Sequence, residues 1–270
     1  MSRIPDMRQV VGSHDIVFIT LDTLRYDVAQ AEFNAGRLPV LQAHLPPEGW
    51  ERRHTPGSFT YAAHHAFFAG FLPTPAEPGR HPRLFATAFG GSETTVSHTA
   101  VFDEASFIEG LAARAYRTIC IGGVGFFNPE TALGRVLPAL FQESHWSPAM
   151  GVQGRHSTEV QVSLACERLA ALEQRVMLFL NVSAIHSPNR IFQAAGERGT
   201  QDSLASHAAA LRYVDAALAP LLDTCARRAP TLFIVCADHG GAYGEDGYRG
   251  HRIAHDTVWT VPYTHFFVGR

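Results

Sequence analysis

Apolar positions along the chain follow two different periods. Four short and nearly continuous apolar runs, Asp15 to Asp22, Thr118 to Ile121, Val176 to Leu180 and Thr231 to Ala237, are rich in β-branched residues and read as strands buried on both faces. Between them the apolar positions recur at helical spacing. Phe107, Ile108, Leu111 and Ala112 share one face, and Val162, Ala165, Leu169 and Leu172 continue behind Thr158-Glu-Val-Gln161, which has the form of a capping box. The longest stripe is Leu204, Ala208, Leu211, Val214, Leu218 and Leu221. A further helix is predicted from Thr60 and is closed by Gly70. Gln30 to Arg53, broken at Pro39 and Pro46-Pro47, reads as helix and loop, and Pro73 to Pro82 as loop. The alternation of strand and helix implies an α/β fold with a mostly parallel central sheet and helices on both faces. No repeat or composition shift divides the chain, so residues 1–270 are expected to form a single domain.

Open α/β sheets bind ligands beyond the carboxyl ends of their strands. Asp22 closes the first run, with Arg25 just after it, and Asp238-His239 closes the last. Glycines then let the backbone turn, and His251 and His255 return within one loop. Asn181, Ser183 and His186 follow the third run. If the first and last strands are neighbours, Asp22 and Asp238 stand side by side. Oxygen donors with one imidazole suit a divalent cation of borderline hardness, Mn²⁺ or Zn²⁺, ahead of Mg²⁺ or Ca²⁺, which an all-oxygen cage would favour. A threonine hydroxyl held by such an ion loses its proton readily, as water does when its pKa falls from roughly 16 to about 7 on zinc. Thr60 would then be a nucleophile without a separate general base. Each residue also has a structural reading: Asp22 as a helix cap, Thr60, Thr55 or Ser58 as the cap of the next helix, His186 as a turn histidine before Ser187-Pro188. The combination carries the chemistry, and no single residue does.

Composition narrows the partners. A chain that is 46% hydrophobic and 17% charged has the balance of a soluble globular protein, and its net charge of −3 gives no electrostatic argument for nucleic acid. It shows neither a signal-peptide core nor an apolar run long enough to span a bilayer, so a cytoplasmic protein without a membrane partner is expected. Cys120, Cys166, Cys225 and Cys236 lack metal or redox spacing and read as reduced core residues. Fifteen histidines turn attention to metals and proton transfer.

These segments together resemble the alkaline phosphatase superfamily in its sulfatase-like and lipoteichoic-acid-synthase-like branch. Phe18-Ile-Thr-Leu-Asp-Thr-Leu-Arg-Tyr-Asp27 is similar to the opening strand whose aspartate, here Asp22, ligates the metal. Thr60 to Gly70 with Phe71-Leu-Pro73 is similar to the nucleophile helix, Thr60 and His64 matching and Ala63 replacing a serine. Leu178 to Pro188 resembles the strand ending in His-x-Pro, whose histidine, here His186, contacts the transferred group. Asp238-His239-Gly240, with Gly250-His251 and Val261-Pro262, resembles the second metal segment. The chain lacks the Cys-x-Pro-x-Arg of sulfatases, which argues against sulfate ester hydrolysis by the formylglycine route. Gly123 stands where they carry lysine, and Val182 where two-metal members carry aspartate.

The resemblance implies a metal-dependent hydrolase or transferase acting on a small phosphorylated substrate. Asp22, Asp238, His239 and Thr60 would hold one divalent ion, and Thr60 would form a phosphothreonine. His186 would stabilise the phosphoryl oxygens, and His251 or His64 would donate to the leaving oxygen. Asn181, Ser183, His186, His251, His255 and Arg25 are the candidates for a second metal or a substrate contact. The alternatives are a phosphomutase or phosphonate-cleaving enzyme of the same superfamily, and a non-catalytic module that binds a phosphorylated metabolite or a partner protein.

Overall fold

The computed structural model of the chain describes residues 4–70 and 106–269. Its strands are β1 Asp15–Leu21, β2 Glu51–His54, β3 Arg117–Ile121, β4 Glu143–His145, β5 Val176–Val182, β6 Thr231–Cys236, β7 Ala242–Tyr243, β8 Arg249–Gly250 and β9 Thr260–Val268. Its α-helices are α1 Met7–Val10, α2 Tyr26–Asn34, α3 Pro39–Gln42, α4 Thr60–Ala69, α5 Phe107–Ala112, α6 Ser157–Ala170, α7 Leu204–Arg228 and α8 Asp256–Trp259. Seven strands form one sheet in the order β2-β9-β6-β1-β5-β3-β4. From β6 to β4 neighbouring strands are parallel, whereas β9 and β2 add an antiparallel margin. The α/β architecture is the expected one, and β1 pairs directly with β6 on one side and β5 on the other.

Strand alternation assigns the two faces. Val17, Ile19 and Leu21 of β1 join one core with Leu169 of α6 and Leu211, Val214 and Leu218 of α7. Ile16 and Phe18 join a second core with Phe68 of α4 and Ile108 and Leu111 of α5. The sheet is therefore covered on both sides, which is why its central strands are apolar throughout.

Several boundaries differ from the expectation. β5 runs past Leu180 to take in Asn181 and Val182, because a buried polar residue can sit in a strand when its side chain is hydrogen-bonded. β2 is a polar edge strand, β4 has three residues and β9 contains Pro262, so none of them carries the apolar signal of a central strand. The capping box expected at Thr158 does not form: α6 starts one residue earlier, behind His156, with no side-chain cap. Gln161 instead points inward and donates to Gly122 O at 3.0 Å and Asn181 O at 2.7 Å, joining the ends of β3 and β5. Among the described residues capping boxes form at Ser106 with Glu109 and at Ser203 with Ser206. All four cysteines are free thiols; three are buried and Cys166 is half-buried. Phe71 to Pro73 and the expected loop Pro73 to Pro82 lie outside the described residues. Among the described residues no helix is long and apolar enough to cross a membrane.

Candidate active site

Three strands and one helix build the site. Thr20 is level with Cys236 of β6 and Asn181 of β5, so Asp22 and Asp238 each emerge two residues beyond the same register point. Even-numbered residues of β1 face α4, which lies alongside. Two strand residues advance about 6.6 Å and four helix residues about 6 Å, so the steps match. Thr20 meets His64 at 3.0 Å between Oγ1 and Nε2, and Asp22 Oδ2 accepts from Thr60 Oγ1 at 3.3 Å. Thr60 opens α4 and Gly70 closes it in the left-handed conformation.

Asp22, Asp238 and His239 are fully buried, and their ligand atoms lie within 4.8 Å of one another. His239 Nδ1 donates to Gly240 O at 2.8 Å, which fixes the tautomer and leaves the Nε2 lone pair facing inward. From Nε2 it is 3.4 Å to Thr60 Oγ1, 3.5 Å to Asp238 Oδ2 and 3.9 Å to Asp22 Oδ1. Gly240 is needed for this turn, because a Cβ there would stand 2.1 Å from Thr257 O.

Thr23, which the linear pattern does not mark, joins the two carboxylates. Its hydroxyl donates to Asp22 Oδ1 at 3.0 Å and its amide to Asp238 Oδ1 at 3.1 Å, with the backbone at φ 69°. Asn181 Nδ2 donates to Asp22 Oδ2 at 3.2 Å, and Thr55 Oγ1 donates to the Asp238 carbonyl. Asp238 Oδ2 is buried and has no hydrogen-bond partner. Burial raises the Asp22 carboxyl, but the His186 and His239 charges and the Asn181 hydrogen bond outweigh it and hold the group below its ordinary value. Burial and the charge of Asp22 push Asp238 well above the carboxylate range. Two buried carboxylates facing one point repel each other until a cation neutralises them. With an unpartnered oxygen, a second carboxylate and an oriented imidazole, the residues fit a divalent cation of the Mn²⁺ or Zn²⁺ kind.

The other predicted residues divide. The His251 ring centroid lies 4.6 Å from that of His239 and 5.7 Å from that of His186, so three imidazoles line one side. His186 Nδ1 is bound to Ser187 O at 2.7 Å. Burial, with His239 and His186 nearby, lowers His251 to about 4. His64 is enclosed: Nδ1 donates to Thr60 O at 2.7 Å, Nε2 accepts from Thr20, and Phe67, Phe68, Phe127 and Phe179 pack edge-on around it. Burial lowers it to about 4. An imidazole with both nitrogens engaged has no route to a leaving group, so the donor role expected of His64 does not fit this placement.

Nor do three others fit a second metal. His255 turns away, capping α8 and facing Asp246 at 3.1 Å. Arg25 is committed to Asp27, Glu245 and Gly241 O, and Ser183 donates to Met150 O at 2.6 Å. Asn181 belongs to the first centre through Asp22.

The sulfatase profile matches residues 14–264. The chain belongs to the sulfatase family. That places it in the alkaline phosphatase superfamily, and solved structures share the fold. The zinc complex of the C-terminal periplasmic domain of EptC from Escherichia coli superposes with a TM-score of 0.65 at 11% identity, covering 96% of this chain and 74% of that one. Lipoteichoic acid synthase LtaP from Listeria monocytogenes gives 0.58 at 14%, covering 95% and 65%. The integral membrane protein lipooligosaccharide phosphoethanolamine transferase A from Neisseria meningitidis gives 0.64 at 14% identity. That match covers 95% of this chain but only 48% of the transferase, so this sulfatase-family chain spans about half its length. None of the curated proteins matches the chain.

Proposed function

We propose that the chain is a metal-dependent hydrolase or transferase of a phosphoric ester, with Thr60 as the nucleophile. The observation that carries this reading is the buried Thr60 hydroxyl at a helix start, held between Asp22 Oδ2 and His239 Nε2. Asp22, Asp238, His239 and Thr60 would hold the divalent ion. When bound, it would supply charge neutralisation and a lowered hydroxyl pKa. Thr60 Oγ1 bonds to phosphorus as the bond to the leaving alcohol breaks, giving a phosphothreonine, and the hydroxyl proton departs along the hydrogen bond to Asp22. His186 and His251, whose rings line one side of the centre with His239, would donate to the phosphoryl oxygens and to the departing oxygen. Water or a second alcohol then takes the phosphoryl group. The fold neighbours that are phosphoethanolamine transferases support the second acceptor. Hydrolysis of 4-nitrophenyl phosphate with added Mn²⁺ or Zn²⁺ tests the reading: Thr60→Ala abolishes turnover while the ion still binds, and turnover retained in that variant overturns it.

A further inference from the structure

The rim of the site holds a cation that the chemistry above does not use. Arg252 is a non-glycine residue with positive φ, 69°, a backbone region that arginine occupies only where its surroundings enforce it. Two contacts enforce it. The Arg252 amide donates to Ser58 O at 2.8 Å, and the guanidinium lies over the Phe59 ring, 5.3 Å from its centroid. Ser58 and Phe59 are the residues immediately before Thr60, so both contacts bind Arg252 to the start of the nucleophile helix. On its other side His251 reaches His239. The guanidinium charge is felt at both imidazoles, where it opposes protonation.

Nearby arginines are matched: Arg25 with Asp27 and Glu245, Arg52 with Asp256, Arg53 with Glu51. Among the described residues no carboxylate pairs with Arg252, whose side chain is exposed. A cation–π contact with Phe59 takes up none of the guanidinium N–H groups in an ion pair, so they can meet a carboxylate or phosphate. Phe126, 6.3 Å from Phe59 and 5.4 Å from Tyr61 between ring centroids and tilted to both, continues an aromatic margin beside it. Arg252 follows His251, whose ring is 4.6 Å from that of His239, so its exposed cation lies at the rim, beside the part of a phosphate ester that stays outside the buried centre, the leaving alcohol.

We infer that Arg252 recognises an anionic group on the leaving alcohol, so that the substrate class is a phosphoric ester whose alcohol carries a second negative charge. The inference rests on the phosphoryl-transfer reading for the position of the leaving group. Calorimetric titration of the Mn²⁺-loaded protein with phenylphosphonate and 4-carboxyphenylphosphonate tests it without requiring turnover. The wild type should bind the carboxylated probe about fivefold more tightly, the worth of one well-placed but exposed ion pair. Arg252→Gln should abolish that preference and leave phenylphosphonate affinity within about twofold, while Arg252→Lys keeps part of it. No preference in the wild type, equal weakening of both probes by Arg252→Gln, or binding of neither probe would each overturn the assignment. Absence of ester turnover would defeat the catalytic reading alone, since these affinities are measured independently of it.

Discussion

Thr23 makes two of the hydrogen bonds that shape the candidate metal centre, and nothing in its sequence surroundings announces it. Asp22, Asp238 and His239 are legible because each is polar at the end of an apolar run. Thr23 is one threonine among several, and its role depends on a left-handed backbone that only the folded loop imposes. Groups that orient metal ligands typically change affinity by about 10- to 100-fold when removed. Thr23→Ala should therefore weaken Mn²⁺ binding by about tenfold in a calorimetric titration, and Thr23→Ser should recover most of it. Asp238→Asn should lose the ion altogether, yet its metal-free form should melt no lower than the wild type, because the change relieves two buried carboxylates facing each other. A metal-free variant that melts well below the wild type would show Asp238 to be structural.

At the scale of elements, the match between β1 and α4 sets the site. Strand and helix advance by nearly equal steps, so the pair Thr20 and Asp22 meets the pair His64 and Thr60. The outer strands follow a different logic. β4 is held by charge more than by apolar burial: Glu143 accepts from Arg117 of β3 at 2.9 Å, Arg168 of α6 at 2.5 Å and His145 at 2.7 Å. Burial raises the Glu143 carboxyl, but the hydrogen bonds from Arg168, His145 and Arg117 outweigh it and hold the group at about 2, against an ordinary value of 4.5. The folded state thus binds the proton less readily than the unfolded chain. Its stabilising contribution is complete above the unfolded value and is lost as pH falls toward the folded one. Urea midpoints of the wild type and Glu143→Gln should accordingly differ most at neutral pH and draw together as the pH falls from about 4.5 toward 2. A gap that stays constant over that range would show that the ion cluster contributes nothing to β4.

For the molecule as a whole, an ion bound at the candidate centre would couple the ends of β1 and β6 to the start of α4, so stability should follow metal occupancy. At a free concentration a hundredfold above Kd, a ligand of the native state adds about 2.7 kcal/mol. In a chain of this size that corresponds to about 5–10 °C in Tm. Chelation should lower the Tm of metal-loaded wild type by that amount and leave Asp238→Asn unmoved. Equal melting with and without chelator would count against occupancy of the centre. The antiparallel margin of β9 and β2 belongs to this scale as well: β2 is almost wholly polar, so only its pairing with β9 makes it a strand.

The sequence by itself determined what is local. Apolar runs had to become buried strands, the Thr60 helix had to stop at Gly70, and polar residues at the ends of those runs had to stand at one rim of a parallel sheet. Tertiary structure decided which of them meet. Thr23 and Asp238 are 215 positions apart and touch because β1 pairs with β6 in a register that no single segment encodes. The same packing enclosed His64, turned His255 toward Asp246 and set Arg252 on Phe59. Side chains of one type received different roles because burial and hydrogen bonding depend on neighbours that the linear order does not hold together.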